Sequence, residues 1–535
     1  MTRIILKCIV CLLLAAQPVS AKAPEEKKVL ETMKQATHFM MEKASCNGGF
    51  VWAYLPDFSR QWGEMEAYRT MIWVQSPGTP HVGHVLLDMY HATGDEYYYE
   101  QAAKVANALI WGQLPCGGWN YIIDFAGENS LKQWYATIGK SGWRLEEFHH
   151  YYGNATFDDS VTSDAAKFLL RMYVEKYDPV YKPALEKVIR FVLESQYPIG
   201  GWPQRYPLKY DHVFHGLTDY TSFITLNDDV IQENIEFLLQ CYQALGLQNL
   251  KEPIMRAMNL MIALQQGAPL SGWSDQYTVD DLNPAHARSY EPRGVNTGTT
   301  VRLIQVMLGY YKLTGDAKFL ARIPDAIAFL ESQALPESEI TRFGRPFRGD
   351  VGNMLVPRFI CPDTGNPQYV HRRGSNYYNG EYFIDQDISN TVGHYSSAIT
   401  VNPSNLKKVY EATLALSPEV LKAESPLFST ERIPLDKYYS TIRQSGSGNM
   451  ADDVDELIRN VTKEGYWLSP ISFSNPYKEY PKEGVVHTGN EYLSTSVGDE
   501  YDTSPFRKEG VMGISTATYI SNMMKCVRYL DSLKK

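Results

Sequence analysis

The sequence predicts a mainly α fold, an α/α toroid of repeated helix pairs with an irregular, partly β lobe towards the C-terminus. Three observations predict it: an aromatic turn recurs along the chain, a helix-like stretch precedes the turn, and a second helix-like stretch follows it. Repeats of about 70 residues with two helices each are typical of α-solenoids and closed α/α toroids. In a toroid, one end of every inner helix, with its loop, surrounds a shared mouth.

The recurring turn combines small residues with an aromatic one. It reads Gly-Gly-Phe at 48–50, Gly-Gly-Trp at 117–119 and 200–202, and Ser-Gly-Trp at 271–273. Three copies follow a helix-like stretch that ends in glutamine, at Gln113, Gln196 and Gln266. Before Gln196 the apolar residues follow the spacing i, i+3, i+4, i+7 and i+8 from Leu185, which indicates an amphipathic helix.

The second helix of each unit begins after a short acidic sequence. Thr-Phe-Asp-Asp-Ser-Val at 156–161 returns 69 residues later as Thr-Leu-Asn-Asp-Asp-Val at 225–230. Asp159 and Asp228 are therefore equivalent, and we expect them to face one cleft, where carboxylate oxygens suit a hard cation such as Ca²⁺. Alternatively, Asp158, Asp159, Asp228 and Asp229 serve helix N-termini, where carboxylates cap N–H donors and favour the helix dipole.

Helical patterning gives way to irregular sequence near residue 341, and we place the expected domain boundary there. We expect a signal peptide at 1–21, a toroid core at 22–340, and an irregular lobe at 341–535 whose last helices pack back on the toroid. Gly-, Asn- and Tyr-rich sequence to about residue 401 favours short strands over helices. Helical patterning returns at 452–459 and 516–533.

The N-terminus predicts export. Basic residues, an apolar run at 9–16 and small residues at 19–21 have the pattern of a secretory signal peptide. The mature protein is then secreted or periplasmic, and no later segment is long and apolar enough for a membrane helix. The net charge of −10 argues against a nucleic-acid partner, which requires a basic surface. We expect a monomer.

Several motifs in collinear order resemble one enzyme family. They are Gly-Gly-Trp-Pro-Gln-Arg-Tyr at 200–206, Ile-Thr-Leu-Asn-Asp-Asp at 224–229, Gly-Trp-Ser-Asp-Gln-Tyr at 272–277 and Pro-Ala-His-Ala-Arg-Ser-Tyr-Glu at 284–291. Together with 73–80, 357–367 and 465–469, they resemble family 10 of the polysaccharide lyases, the pectate lyases. The similarity extends over most of the chain after the signal peptide.

The resemblance implies an extracellular or periplasmic α/α toroid that uses calcium to cleave polygalacturonate by β-elimination. It implies that Asp159 and Asp228 hold calcium and the substrate carboxylate; the neighbouring Asp158 and Asp229 are the alternatives. It implies that Arg288 is the base.

The resemblance also implies residues that bind substrate. Arg358 and Arg372 would bind uronate carboxylates, and the departure of this chain from the family pattern around 370–374 makes Arg373 an alternative to Arg372. Asn227 is a further substrate-binding candidate. Among the aromatic residues, Trp202, Tyr206 and Trp273 could stack on the apolar face of a sugar, although lone aromatic residues near turns more often belong to core or turn packing.

The chemistry removes the C5 proton of a uronate and expels the oxygen on C4. Arginine is an awkward base because its free pKa exceeds 12, and we expect a buried, cation-rich cleft to lower the cost of its neutral form. The alternative for Arg288 is a salt bridge with Glu291, one turn away.

Two other functions fit the same residues. A glycoside hydrolase on the same toroid would use Asp159 and Asp228 as an acid and base pair. A non-catalytic protein would bind uronate polysaccharide without cleaving it, because function depends on the site and not on the fold.

Overall fold

A computed structural model describes residues 24–141, 145–210, 212–213, 216–343, 352–373, 381–389, 391, 395–439, 450–471, 473–474, 505–506 and 511–534. The predicted signal peptide lies outside the described residues. Among the described residues, no helix is both long and apolar enough to cross a membrane.

Helices dominate the described structure. Their bounds are α1 Glu26–Phe39, α2 Thr79–Thr93, α3 Glu96–Gly112, α4 Glu128–Thr137, α5 Val161–Lys176, α6 Lys182–Ser195, α7 Val230–Leu245, α8 Lys251–Ala263, α9 Thr297–Thr314, α10 Ile323–Ser332, α11 Glu337–Phe343, α12 Pro403–Leu414, α13 Pro418–Glu424, α14 Met450–Asn460 and α15 Thr516–Leu533.

The strands are short and lie between the helices. Their bounds are β1 Ala53–Tyr54, β2 Gln61–Trp62, β3 Glu66–Ala67, β4 Met71–Trp73, β5 Ile122–Asp124, β6 Ala155–Thr156, β7 Arg205–Tyr206, β8 Ile224–Thr225, β9 Trp273–Ser274, β10 Gln276–Tyr277, β11 Pro284–Ala285, β12 Val295–Asn296, β13 Met354–Pro357, β14 Phe359–Ile360, β15 Pro367–Arg373, β16 Glu381–Asp385, β17 Ala398–Val401, β18 Leu468–Pro470, β19 Phe473–Ser474, β20 Pro505–Phe506 and β21 Met512–Ser515.

The predicted fold class, an α/α toroid, is confirmed. Helix pairs α2–α3, α5–α6, α7–α8 and α9–α10 pack in sequence, and the first helices of successive pairs contact one another from α2 to α5 and from α5 to α7. The first helices are the inner layer, and α3, α6, α8 and α10 are the outer one. The strand before an inner helix pairs antiparallel with a strand that follows an outer helix, as β4 with β5, β6 with β7 and β8 with β10.

The recurring turn joins each unit to the next. Gly117 and Gly200 have φ of 114° and 118°, a backbone region that favours glycine. A Cβ there would lie 2.6 Å from the backbone oxygen of the following outer helix, Lys187 for Gly117 and Arg256 for Gly200. The glycines are therefore required both by conformation and by the close approach of consecutive units.

A glutamine at the end of each outer helix fixes the same junction. Nε2 of Gln196 donates to Gly200 O in its own turn and to Pro253 O in the next unit, both at 3.0 Å. Gln113 makes the equivalent pair of bonds to Gly117 O and Ala184 O. In the third unit this residue is Gln265, not the predicted Gln266: Gln265 donates to Ser271 O at 2.8 Å and Arg322 O at 3.0 Å.

The C-terminal part contributes both strands and helices. Strands β13 to β17 occupy the region where short strands were predicted, and α14 and α15 match the two predicted helices. Helix α15 packs against α2, α1 and α14. The division at residue 340 into core and lobe stays a prediction.

Candidate active site

An open cleft of about 390 Å³ lies at the N-terminal ends of α7 and α9. Asn227, Asp228 and Asp229 line it from the start of α7, Arg302 from α9, and Arg358 from the turn between β13 and β14. Four predicted site residues, Asn227, Asp228, Asp229 and Arg358, are thus brought together although 131 residues separate Asn227 from Arg358.

The two acidic sequences before α5 and α7 share an unusual backbone. Asp159 and Ser160 have φ of 47° and 59°, and Asp228 and Asp229 have φ of 52° and 57°. Non-glycine residues seldom adopt this left-handed region, and consecutive ones are a form of strain that is typical of functional sites. No side-chain capping hydrogen bond is made at the N-termini of α5 or α7. The capping interpretation therefore lacks its hydrogen bond.

Asp228 faces both the cleft and Arg288. Its carboxylate accepts a hydrogen bond of 2.6 Å from Nδ2 of Asn227, and Oδ2 lies 3.7 Å from Nη2 of Arg288. Burial, followed by repulsion from Asp158 and Asp159, raises its pKa well above the ordinary value. A cation beside this group would relieve the same repulsion.

Asp159 is held by Gln75, which lies in an earlier unit. Nε2 of Gln75 donates to Oδ2 of Asp159 at 2.6 Å and to Oε2 of Glu64 at 2.9 Å. Burial and the neighbouring Asp158 raise the pKa of Asp159 to about 7. Burial, Glu147 and Asp159 raise the pKa of Glu64 well above its usual value. The loop between β2 and β3 therefore adds a carboxylate, that of Glu64, which the repeat pattern did not indicate.

Asp158 is a buried structural group. Its side chain is fully buried, Oδ1 accepts from Nε2 of Gln204 at 2.9 Å, and Oδ2 accepts from the Tyr121 hydroxyl. Burial alone would raise its pKa, but Arg288 and hydrogen bonds with Asp228 and Tyr121 lower it below the ordinary value. Both oxygens are thus engaged away from solvent, in contrast to its predicted place among the calcium ligands.

Asp229 also has a partner other than a metal. Nη1 of Arg302 donates to its Oδ1, and Nη2 of Arg302 donates to the backbone oxygen of Leu226 at 2.7 Å. Of the four predicted calcium ligands, the structure leaves Asp159 and Asp228 as the pair with partly exposed carboxylates and no cationic partner closer than 3.5 Å among the described residues.

Arg288 is surrounded by carboxylates. Nε and Nη2 form a bidentate pair with Glu291 at 2.9 and 3.0 Å, and Nη1 donates to Glu147 at 3.2 Å. Asp158 lies 3.9 Å from Nη1. Tyr395 accepts a bond of 3.3 Å from Nη2 and lines the cleft with Glu291 and Asp228. Arg288 is 5% exposed and so lies behind this wall.

The ion pair with Glu291 that the sequence offered as an alternative role for Arg288 is present. The expectation that cations surround Arg288 is wrong as far as the protein groups are concerned, because its neighbours are carboxylates and tyrosines. Although burial lowers the pKa of Arg288, the charges of Glu291, Glu147 and nearby tyrosines outweigh it, and the pKa is raised well above its usual value.

Asp159 and Asp228 fit calcium by donor type, because both supply carboxylate oxygens. The described residues contain no group of three or more His, Cys, Asp or Glu side chains placed to hold a metal ion. Calcium at this pair would therefore need further oxygen ligands from water or substrate.

Of the two interpretations of Trp202 and Trp273, core packing is confirmed and sugar stacking is wrong. Trp202 and Trp273 are fully buried, and their Nε1 atoms donate to Val192 O and Met261 O at 2.8 Å. They pack inside the repeat, so no ring face is available to a sugar. Tyr206 is partly exposed and packs edge-on against Phe191 with centroids 5.8 Å apart.

The predicted arginines fall into two groups. Arg358 lines the cleft, donates from Nε to Ser396 O at 2.7 Å and stands over the Tyr395 ring. Burial lowers its pKa. Arg372 and Arg373 lie on β15, paired in register with Tyr382 and Glu381 of β16; their side chains are outside the described structure.

The sequence reasoning missed Glu64, Gln75, Glu147, Arg302 and Tyr395. Gln75 stood inside a quoted motif, and Arg302 lies one helical turn past Thr297-Gly298-Thr299 at the start of α9. The signal available for Arg302 was its position close to the start of α9, because the starts of the other inner helices carry the predicted site residues. Glu147 carried no such signal, because it belongs to no repeat.

Known proteins place these residues in context. Residues 125–311 match the family model of pectic acid lyases. The resemblance predicted from the motifs is confirmed over this segment, which contains all four aspartates, Arg288 and Arg302. The match supports a lyase that acts on polysaccharides. No curated protein matches the chain.

Several solved structures are similar to this protein. A family 10 polysaccharide lyase from Cellvibrio cellulosa is 17% identical over 61% of this chain and 95% of its own, with a TM-score of 0.41. The cellobiose 2-epimerase of Spirochaeta thermophila is 10% identical over 95% and 97%, with a TM-score of 0.41. The α-1,6-mannanase of Salegentibacter is 12% identical over 95% and 99%, with a TM-score of 0.36.

Proposed function

We propose that this protein is an exported pectate lyase that cleaves polygalacturonate by calcium-assisted β-elimination, with Arg288 as the base. One observation carries the proposal: Asp228, at the cleft surface, lies 3.7 Å from the buried guanidinium of Arg288, within the segment that matches the pectic acid lyases. Export rests on the N-terminal sequence, and the monomeric state remains an expectation.

The cleft offers a position for an acidic sugar. Arg358 and Arg302 supply guanidinium groups to the same space, and guanidinium binds carboxylates bidentately. Asp228, Glu291 and Tyr395 line the cleft on the side of Arg288. We expect the C5 hydrogen to approach Nη2 of Arg288, since this nitrogen is the one that faces Asp228 and Tyr395.

The reaction breaks two bonds and forms one double bond. Arg288 accepts the C5 proton, the electron pair becomes the C4–C5 double bond, and the C4–O bond breaks to leave an oxygen that takes a proton from solvent. Calcium, when bound by Asp159 and Asp228, would stabilise the negative charge beside the substrate carboxylate.

Arg288 must be neutral to accept a proton, and its neighbours oppose this. Glu147 and Glu291 contact the guanidinium, and Asp158 and Asp228 lie within 4 Å. Neutralising any of these charges weakens the field that retains the proton on Arg288. Glu147 and Glu291 also fix the plane of the guanidinium, so that Nη2 keeps its direction towards the cleft.

The decisive experiment is incubation of the purified protein with polygalacturonate, with and without chelator, while ultraviolet absorbance is followed. A lyase gives an unsaturated, absorbing product whose formation stops with chelator and resumes with calcium. A glycoside hydrolase gives new reducing ends without absorbance. A non-catalytic binding protein gives affinity without either product.

Arg288→Ala tests the base. We expect a loss in kcat of about 10²–10⁴-fold, the usual contribution of a general base. The substitution leaves four carboxylates without their counter-ion, so the folding of the variant must be checked. Binding of trigalacturonate, measured by calorimetry, is the control for a folded cleft. Turnover near the wild-type rate in a variant that still binds would remove Arg288 as the base.

A further inference from the structure

Arg302 is the cationic group in the cleft to which the sequence assigned no role. It projects from α9, two residues beyond Thr300, whose hydroxyl accepts from the backbone of Trp273 in the repeated turn. The equivalent threonine in an earlier unit is Thr162, on α5. Arg302 therefore lies one turn from the start of an inner helix, in contact with the acidic sequence that precedes α7.

The contacts of Arg302 fix it in place without using all its donors. Nη1 bonds Oδ1 of Asp229 and Nη2 bonds Leu226 O, whereas a guanidinium has five N–H groups. The side chain keeps 29% of its surface exposed, and it lines the cleft beside Asp228. The exposed part is therefore free to receive a second anion on the cleft side.

The neighbouring groups match a chain of carboxylates better than a single one. Arg358 lines the same cleft from the other side of the α9 N-terminus, and its Nη1 lies close to Gly298, where a Cβ would be 3.4 Å away. A polyuronate carries one carboxylate on each sugar. Two guanidinium groups on separate elements can therefore hold two successive sugars, with Asp228 in the same cleft.

We propose that Arg302 binds a carboxylate of the uronate chain in the sugar position next to Asp228, and that Asp229 orients Arg302 instead of binding calcium. This inference rests on the proposed function. It assigns Arg302 to substrate affinity and to the choice of charged over esterified sugars, and it gives Asp229 an indirect role through the guanidinium.

The test compares Arg302→Gln with Arg293→Gln. Arg293 is a matched control, because it also forms an exposed pair with an aspartate, Asp363, at 2.6 Å, and it does not line the cleft. Binding of trigalacturonic acid and of its methyl ester is measured by calorimetry at fixed calcium, and kcat and KM are measured on polygalacturonate.

For Arg302→Gln we expect the Kd for the acid to rise at least about tenfold, as for loss of a charged hydrogen bond, with the ester little affected. KM should rise likewise, with kcat within about threefold of the wild-type value. Arg293→Gln should change neither by more than about twofold. Asp229→Asn should weaken binding of the acid by less than Arg302→Gln and leave the calcium requirement unchanged.

Equal losses for the acid and the ester, or an unchanged Kd, would overturn the inference. Arg302→Lys keeps the charge and is the second variant in case the glutamine variant misfolds. Wild-type affinity of the lysine variant for the acid supports recognition by charge. Loss of affinity for both the acid and the ester refutes it. If the wild-type protein makes no unsaturated product but Arg302→Gln selectively loses the acid, the lyase proposal fails and this inference stands. If the wild-type protein cleaves and Arg302→Gln is unaltered, the inference alone fails.

Discussion

Asp228 and Asp229 are neighbours in the chain, yet the fold gives them different partners. Asp228 turns towards Arg288, and Asp229 is paired with Arg302 across the cleft. Both sit in the left-handed backbone that follows β8. This backbone separates the two side chains, so that Asp229 is neutralised by Arg302 and Asp228 is the carboxylate to which we assign the cation in the proposed function.

Exchange of the two carboxylates for amides tests this division. Asp228→Asn should lower kcat at least about 100-fold and raise the calcium needed for half-maximal activity, because a bound cation contributes several kcal/mol to the transition state. Asp229→Asn should cost less than about tenfold. Calcium titrations of initial rate measure both, and equal effects of the two changes would contradict the assignment.

Glu146 is a second residue whose position sets its chemistry. It is 5% exposed, and Oε2 accepts from the backbone nitrogen of Ser289, next to Arg288, at 2.8 Å. Burial raises its pKa to about 8, and the bonds from Ser289 only partly oppose this. The folded protein therefore binds this proton more tightly than the unfolded chain, where glutamate has a pKa near 4.3.

Stability should consequently fall as pH rises from about 4 to 8 and level off above that, because folding must take up a proton that the unfolded chain has already lost. Glu146→Gln keeps the shape and removes the titration. We expect the unfolding free energy of this variant, measured with urea at pH 5 and pH 9, to decline less than that of the wild type by a few kcal/mol. Parallel pH profiles would show that Glu146 does not titrate in this range.

At the scale of elements, the repeated turn explains the tryptophans. Each indole is buried behind a Gly-Gly or Ser-Gly step, and its N–H satisfies a carbonyl near the end of the preceding outer helix. A threonine of the following inner helix accepts the backbone N–H of the tryptophan in two of these units, Thr162 for Trp119 and Thr300 for Trp273. The motif that looked like a sugar platform is thus the joint between helix pairs.

Trp202→Ala should therefore weaken the fold and leave the cleft chemistry intact. Loss of a fully buried tryptophan costs about 3–5 kcal/mol, measured by urea unfolding. Trp111→Ala is the control, because Trp111 is 58% exposed and should cost less than about 1 kcal/mol. Loss of trigalacturonate binding by the folded Trp202→Ala protein, with stability unchanged, would restore the stacking role.

At the scale of the molecule, late segments of the chain complete the early helix layer. Tyr519 on α15 shares a hydrogen bond with Thr37 on α1, and Thr516 N donates to Trp52 O at 2.9 Å. Tyr439, near the end of a segment that follows α13, stacks on His84 of α2 at 3.6 Å and donates to Asp164 of α5 at 3.1 Å. Helices from the first third of the chain thus depend on residues beyond 430.

A chain ended at residue 340 should not fold cooperatively. It would expose the face of α2 that α15 covers, and the hydrophobic surface so uncovered stabilises the native state in proportion to its area. Near-ultraviolet circular dichroism and urea unfolding of residues 24–340 provide the measurement. A sharp unfolding transition for this fragment would support a domain boundary at 340.

The sequence by itself determined the helix pairs, the register of the repeat and the equivalence of Asp159 and Asp228. These depend on apolar spacing, glycine turns and local motifs, which are properties of short segments. Tertiary structure alone decided that Asp158 is buried, that Arg302 neutralises Asp229, and that Glu147, 141 residues away, holds Arg288. Charge and accessibility depend on all neighbours in space, and most of those neighbours come from other units of the repeat.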